Sequence, residues 1–198
     1  MKLFRMTSSL VFTSIAVVSF STSARTRQVA LELGEAQVTA GCHLRPSKII
    51  LKSAQIQMPM KLKVELDSSG SGNEVARKSC VISLPIDVPP THALRIEKIS
   101  IDQSQTLAVG SKSDLQVEVF KTGSQAQPLK IENEATKKPL LSKSTAHHKT
   151  SVLFACGQGG ILRVNATATL TSTTNSESAA KLSDLKLSYK LIPCGDAI

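Results

Sequence analysis

The stretch Met60-Lys61-Leu62-Lys63-Val64-Glu65-Leu66 alternates strictly between apolar and charged side chains. A period of two is the pattern of a β-strand with one buried face and one solvated face. A second stretch, Cys80-Val81-Ile82-Ser83-Leu84-Pro85-Ile86-Asp87-Val88, places an apolar residue at every second position. Residues 68–73 between them are rich in serine and glycine. We therefore predict that the two strands form an antiparallel hairpin.

The same alternation extends through most of the chain. It is clear in residues 115–119, 162–170 and 185–191, and weaker in residues 29–38 and 48–51. In residues 94–101 the alternation changes register near Ile99, which predicts a β-bulge. After residue 24 we find no helical pattern of ten or more residues. We predict an all-β fold, an antiparallel β-sandwich with little or no helix.

Residues 123–149 form the least regular part of this pattern. They contain few apolar residues, and we interpret them as a long basic loop with at most a short strand near residues 129–131. A basic loop on a rigid scaffold is a candidate site for an anionic ligand, and the alternative is a merely solvated loop. The residues of this candidate site are Lys137, Lys138, Lys143, His147, His148 and Lys149.

Length and composition limit the class of protein. The chain has 198 residues, of which 41% are hydrophobic and 20% charged, so it can bury the core of one globular domain. It is too apolar for a disordered protein and lacks collagen or heptad repeats. The formal net charge is +9, with no Trp and one Tyr. Because nucleic-acid proteins usually combine basic grooves with stacking rings, we expect no nucleic-acid partner.

The N-terminus has the features of a secretory signal peptide. Lys2 and Arg5 precede an apolar run over residues 10–20, and small residues follow at 21–24. A membrane anchor is the alternative, but the run has about half of the roughly 20 residues that a spanning helix needs. We predict a signal peptide at residues 1–24 and one exported domain at residues 25–198, without a transmembrane segment. Whether the domain stays in a periplasm or reaches the medium is left open.

Four cysteines follow the predicted cleavage point, namely Cys42, Cys80, Cys156 and Cys194. An even number of cysteines in an exported chain indicates two disulfides, for which three connectivities exist. The pairs Cys42–Cys80 and Cys156–Cys194 have equal sequence separations, so we favour these two pairings. Closing a loop of this size stabilises a fold by about 4 kcal/mol in the chain-entropy model. No two cysteines have the close spacing of a zinc site, so we predict no metal bound by cysteine.

Four local patterns also occur in a characteristic order. They are Gly41-Cys42 with Pro46-Ser47, Arg77-Lys78-Ser79-Cys80, Cys156-Gly157 with Leu162-Arg163-Val164-Asn165, and Tyr189 shortly before Cys194. In this order they resemble the small secreted four-cysteine proteins called DUF4360, a domain of unknown function. The resemblance implies secretion and a disulfide-stapled fold, and it implies no particular activity. The chain departs from the family pattern at Phe154 and Tyr189, where Trp is expected, and at Ser104, where Gly is expected.

The chain lacks the motifs of common catalytic sites. It has no nucleophile elbow, no phosphate-binding loop that precedes a helix, and no cluster with metal-ligand spacing. Asn165-Ala166-Thr167 is a glycosylation sequon, whose use depends on the host. We predict a non-enzymatic binding or surface-associated module without cofactor, for an acidic polysaccharide or protein. The alternative is a small secreted hydrolase that uses scattered carboxylates, such as Glu65, Glu97, Asp102 and Asp114.

Overall fold

The computed structural model describes residues 30–41, 43–67 and 73–196. In chain order its strands are β1 (Glu32–Leu33), β2 (Gln37–Val38), β3 (His43–Leu44), β4 (Ile50–Lys52), β5 (Gln55–Leu66), β6 (Glu74–Asp87), β7 (His92–Leu107), β8 (Ser111–Lys121), β9 (Leu129–Ala135), β10 (Leu140–Phe154), β11 (Gly160–Ser172) and β12 (Ser178–Pro193). Within the described residues the only helical segments are two single 3₁₀ turns, Pro46–Lys48 and Cys194–Asp196. None of the described helices is long and apolar enough to cross a membrane.

The strands form two antiparallel sheets. Sheet A has the order β1-β6-β11-β8-β9, and β2 also pairs with β6. Sheet B has the order β10-β7-β12-β5-β3, and β4 also pairs with β5. From β5 onward the chain crosses to the other sheet at every connection except the one from β8 to β9. This alternation gives a jelly-roll sandwich and confirms the predicted all-β antiparallel fold.

The core lies between the two sheets and is built from the alternating apolar residues. Leu62 of β5 in sheet B and Ile82 of β6 in sheet A are both 0% exposed. Their neighbours at every second position are equally buried, whereas the residues between them face outward. Burying a side chain of this size stabilises the fold by about 1.5–3 kcal/mol.

The predicted hairpin between the first two strands is wrong. β5 pairs with β12, where Leu62 lies opposite Leu182, and β6 pairs with β11, where Ile82 lies opposite Val164. Residues 68–72 of the connection lie outside the described residues. A local pattern shows that each strand has one buried face, but two such faces can lie side by side in one sheet or face each other across a core. Here they face each other.

The predicted long basic loop is also wrong. Its residues form most of β9 and β10, and only a short turn over residues 136–139 separates the two strands. β10 is an edge strand, and its inward positions carry polar or small side chains such as Ser142, Ala146 and Thr150. A strand of this kind has little apolar alternation, so its pattern resembles that of a loop.

Other predictions about the strands are confirmed. The register between β7 and β10 shifts between Lys149 and Val152, which lie opposite Lys98 and Ile96. The predicted bulge near Ile99 therefore exists. The weaker strand candidate at residues 29–38 contains β1 and β2, and the one at residues 48–51 overlaps β4; each of these strands is two or three residues long.

The disulfide Cys156–Cys194 is confirmed, with a Cα–Cα distance of 5.8 Å. It joins the segments after β10 and β12, and these segments bond to the start of β7 through Gly157 N–H to His92 O and Cys194 N–H to Thr91 O. Cys80 is also disulfide-bonded. Cys42 lies outside the described residues, as do the residues of the predicted signal peptide, so the Cys42–Cys80 pairing stays a prediction.

Candidate anion-binding face

The outer face of sheet B is strongly basic. Because side chains alternate along a strand, every second residue of β5, β7, β10 and β12 points away from the core onto this face. The basic residues at these positions are Lys61, Lys63, Arg95, Lys98, Lys143, Lys149, Lys181, Lys186 and Lys190. The carboxylates on the same face are fewer, namely Glu65, Glu97, Asp102 and Asp184. We call this surface the basic face.

Strand register places three lysines of the basic face in one row. Lys143 on β10 lies opposite Ser104 on β7, which lies opposite Lys181 on β12, which lies opposite Lys63 on β5. Neighbouring strands are about 4.8 Å apart, so the row spans about 14 Å across the sheet. Hydrogen bonds between the strands fix this spacing, so the backbone holds the Cα atoms of the three lysines at fixed positions.

Serines lie between the cations of the basic face. Ser104 separates two lysines of the row just described, and Ser100 lies between His147 and Lys186. Nδ1 of His147 and Oγ of Ser100 share a hydrogen bond of 2.9 Å. Because serine is short, it leaves room above the strand and offers a hydroxyl that can both donate and accept.

Few of these cations are neutralised within the protein. Lys63 pairs with Glu65, and Lys190 pairs with Glu97 at 3.1 Å. Within residues 30–41, 43–67 and 73–196, Lys143, Lys181 and Lys186 make no ion pair. These lysines therefore keep their charge available to an external anion.

The outer face of sheet A has no such excess. Its outward positions carry Arg77, Lys112, Lys130 and Arg163 together with Asp87, Asp114, Glu118, Glu132 and Glu134. Lys112 pairs with Glu132 at 3.9 Å. Of the two outer faces in the described part of the chain, only that of sheet B therefore carries an excess of positive charge.

The structure separates the six residues of the predicted basic loop into three groups. Lys143, His147 and Lys149 lie on the basic face. His148 points to the interior, where its Nε2 is buried and has no hydrogen-bond partner among the described residues. Lys137 and Lys138 are exposed in the turn between β9 and β10. The two adjacent histidines therefore face opposite sides of β10 and cannot ligate one ion together.

Sequence reasoning missed the lysines that neighbouring strands bring to the same face. Lys61 and Lys63 form the polar half of the first quoted stretch, and Lys181 and Lys186 lie in or beside the last alternating segment. The alternation shows that such lysines face solvent. It does not show that β5 and β12 are neighbours, and only this adjacency joins the lysines into one surface.

Two carboxylates of the basic face line one depression, together with Lys186. Asp102 and Asp184 both line a depression of about 170 Å³ where β12 bulges opposite Pro59. Proline cannot donate to a ladder and is tolerated inside a sheet at such a bulge. Asp184 has φ 52°, and Asp102 Oδ1 accepts a hydrogen bond of 2.5 Å from Thr145 Oγ1. Nowhere in the described part of the chain do three His, Cys, Asp or Glu side chains converge as a metal site.

Comparison with solved structures finds several carbohydrate-binding modules of low similarity. The module TmCBM61 in complex with β-1,4-galactotriose is 10% identical, with a TM-score of 0.28, over 82% of this chain and 88% of that chain. The family 11 module from Clostridium thermocellum, in complex with a β-1,3-1,4-mixed-linked tetrasaccharide, is 13% identical, with a TM-score of 0.29, over 80% and 86%. The mannan-recognising module TmCBM27 is 10% identical, with a TM-score of 0.31, over 81% and 98%. These scores say nothing about a ligand of this chain.

Comparison of the sequence with known families gives a clearer result. No curated protein matches the chain in sequence. A family profile described as "Domain of unknown function (DUF4360)" matches residues 54–191. This range runs from the start of β5 almost to the end of β12 and covers the eight long strands of the sandwich. The chain therefore belongs to the DUF4360 family.

Proposed function

We propose that the protein is a non-enzymatic binding module that holds an acidic polysaccharide on the basic face of sheet B. The observation that carries the proposal is the excess of basic over acidic side chains on the outer face of sheet B, in contrast to the balanced charge on the outer face of sheet A. The row of Lys143, Lys181 and Lys63 crosses four strands, so a linear polyanion can contact all three.

The physical chemistry of this face suits a repeating anion. A single exposed ion pair contributes only about 0–1 kcal/mol, so one carboxylate or sulfate would bind weakly. Several ammonium groups at fixed spacing raise the local potential together and attract a polymer that carries many charges. Serine hydroxyls such as those of Ser104 and Ser183 can also bond to sugar hydroxyls.

A polysaccharide fits the basic face better than a nucleic acid does. Single-stranded nucleic acid usually stacks its bases on aromatic side chains. Among the described residues no Phe, Tyr or Trp lies on the outer face of sheet B, because Phe154 and Tyr189 are buried in the core. An acidic protein is the alternative partner, and the experiment below includes it as an outcome.

We propose further that the protein acts outside the cytoplasm, in a periplasm or in the medium. The predicted signal peptide at residues 1–24 and the disulfide Cys156–Cys194 support this proposal. Mass spectrometry of the extracytoplasmic fraction is expected to find a mature N-terminus at Arg25. Recovery of the chain only in the cytoplasm, with Met1 intact, would contradict the proposal.

The test of the binding face uses two variants that remove the same charge. The first changes Lys143, Lys181 and Lys186 to Gln on the basic face. The second changes Lys112, Lys130 and Arg163 to Gln on sheet A. Retention on immobilised heparin is measured against a NaCl gradient. We expect the wild type and the sheet A variant to elute together, and the basic-face variant to elute at clearly lower salt.

Two results would refute the proposed face. If both variants elute at an equally lowered salt concentration, retention depends only on net charge. If the wild type shows no salt-dependent retention, it does not bind heparin through charged groups. Competition by an acidic protein such as polyglutamate, but not by free heparin, would instead favour a protein partner. A further variant, Lys137→Gln with Lys138→Gln, tests whether the adjacent turn extends the face.

A second candidate function is hydrolysis of a glycan at the Asp102–Asp184 depression. The observation in its favour is that two carboxylates line one cavity, as acid and base groups do in glycosidases. The assay measures release of reducing ends from acidic and neutral polysaccharides by the wild type and by Asp102→Asn and Asp184→Asn. Release that both substitutions abolish would establish the enzyme, and no release by the wild type would reject it.

A further inference from the structure

A polar cleft lies at the centre of the outer face of sheet A, on the side of the sandwich opposite the basic face. It has a volume of about 290 Å³ and lies over β6, β11 and β8. Its outward-facing polar side chains are Arg77, Ser79, Gln116, Glu118, Asn165 and Thr167. This volume is close to the lower end of the range for small-molecule sites, about 300–1,000 Å³.

Two patterns that carry the family resemblance meet in this cleft. Arg77 and Ser79 belong to the pattern before Cys80, and Asn165 ends the pattern after Cys156. They are far apart in sequence, but antiparallel pairing of β6 with β11 places Ser79 opposite Thr167. Two motifs that are far apart in the sequence thus line the same cleft.

Hydrogen bonds hold the floor of the cleft in place. Oε1 of Glu118 accepts a bond of 2.8 Å from the Gln116 amide, and Oε2 accepts one of 3.3 Å from the Asn165 amide. Within the described part of the chain Glu118 has no ion pair, so amide groups alone hold this half-buried carboxylate. Donating both amide nitrogens to Glu118 leaves the carbonyl oxygens of Gln116 and Asn165 as acceptors for another molecule.

The donor and acceptor set of the cleft matches a hydroxyl-rich, uncharged molecule. A sugar hydroxyl can donate to the carboxylate or to an amide oxygen and accept from the Arg77 guanidinium. The Glu118 carboxylate opposes an anion, and Arg77 opposes a cation. Phe120 is two residues beyond Glu118 on the same face of β8. It lies opposite Arg163 and is half-buried. Its ring offers an apolar surface on which the C–H face of a sugar can pack.

We propose that this cleft is a second binding site, for an uncharged carbohydrate, and that it works independently of the basic face. The sandwich then carries two sites of opposite chemistry, one on each sheet. The glycosylation sequon has a physical consequence here, because Asn165 and Thr167 both line the cleft. A glycan attached to Asn165 would occupy the cleft and exclude a ligand.

The experiment follows backbone amide signals by NMR in the disulfide-bonded protein while cellohexaose, mannohexaose or galactohexaose is added. It is done in 1 M NaCl, where the Debye length of about 3 Å suppresses binding to the basic face. We expect saturable shifts at residues 116–118 and 165–167 with at least one of these oligosaccharides. The variant Lys143→Gln with Lys181→Gln and Lys186→Gln should bind equally well.

Matched substitutions locate the site. Asn165→Ala and Gln116→Ala should each weaken binding by about tenfold, which corresponds to about 1.4 kcal/mol. Thr171→Ala changes the same face of β11 outside the cleft and should leave affinity unchanged. Two cleft variants are used so that misfolding of one does not end the test, and unchanged signals of the core strands show that each is folded. Absence of saturable shifts with all three oligosaccharides, or unchanged affinity in a folded Asn165→Ala or Gln116→Ala protein, would overturn the proposal.

Discussion

A chain of hydrogen-bonded polar side chains runs from Ser144 on the edge strand β10 through the buried residues Gln103, Gln105 and Ser113 to the other sheet. Gln103 Nε2 donates to Ser144 Oγ at 2.6 Å, and Gln105 Nε2 donates to Gln103 Oε1 at 2.9 Å. Ser113 Oγ on the other sheet donates to Gln105 Oε1 at 2.6 Å. Gln105 is 1% exposed and Ser113 is 0% exposed, so Gln105 links sheet B to sheet A inside the core.

We predict that Gln105→Ala is strongly destabilising. The change leaves two buried groups without partners, the Ser113 hydroxyl and the Gln103 side-chain oxygen. Each unsatisfied group costs about 1–3 kcal/mol, so we expect a loss of about 2–6 kcal/mol in the free energy of unfolding. At about 2–4 °C per kcal/mol for a chain of this size, Tm should fall by roughly 4–24 °C.

The measurement is urea unfolding followed by circular dichroism, with Gln57→Ala as the matched control. Gln57 lies on the outer face of β5, and within the described residues its side chain donates to Gln55 Oε1 at 3.2 Å. Its replacement should change the free energy of unfolding by less than about 0.5 kcal/mol. Adding Ser113→Ala to Gln105→Ala should cost less than the sum of the single changes, since it removes the orphaned hydroxyl. Equal stability of Gln105→Ala and Gln57→Ala would refute the buried network.

Four further predictions concern a tyrosine, a histidine and the disulfide. Burial raises the pKa of Tyr189 above its ordinary value of 10.0. The contribution of this group to the free energy of unfolding is therefore fully present below about pH 10 and is lost as the pH rises through the raised pKa. In urea unfolding, Tyr189→Phe should lose less stability than the wild type over this alkaline range. At neutral pH the same variant should be destabilised by about 1 kcal/mol, because Tyr189 Oη donates to the Lys52 carbonyl at 3.0 Å. His148→Leu should keep or raise Tm, since it removes a buried nitrogen without a partner, and a clear fall in Tm would contradict this. Replacing Cys156 and Cys194 by Ser should lower the free energy of unfolding by about 2–5 kcal/mol. Because this disulfide is then absent, a reducing agent should not lower the stability of the variant further by breaking it.

The sequence predicts which residues are buried better than it predicts which strands are neighbours. In β6 the alternating positions Ile82, Leu84 and Ile86 are all buried, as the pattern requires. The pattern is a local consequence of two-residue periodicity, so it is readable without the rest of the chain. Pairing of β5 with β12 depends on contacts between segments more than a hundred residues apart, and no local pattern encodes it.

The edge strand β10 shows a second limit. Only Val152 and Phe154, at its end, are buried, while its remaining inward positions are partly or fully exposed. β10 lies at the margin of sheet B, with β7 as its only partner among the described strands, and natural edge strands often carry polar or charged residues that discourage pairing with another chain. This weak apolar pattern explains how Lys143 and Lys149 could be identified as candidate site residues while their strand was taken for a loop. The sequence therefore predicts some of the residues of the candidate site but does not predict their arrangement in space.

The lysines of β10 also have a structural explanation. Charged side chains on an edge strand prevent it from pairing with another chain, and Lys143 and Lys149 can serve that purpose alone. This explanation does not apply to Lys181 and Lys186, because β12 is the central strand of sheet B and has partners on both sides. Both are half-buried and make no ion pair within the described residues. An anion that bridges the strands would supply the missing partner, which makes the β12 lysines the decisive part of the heparin experiment.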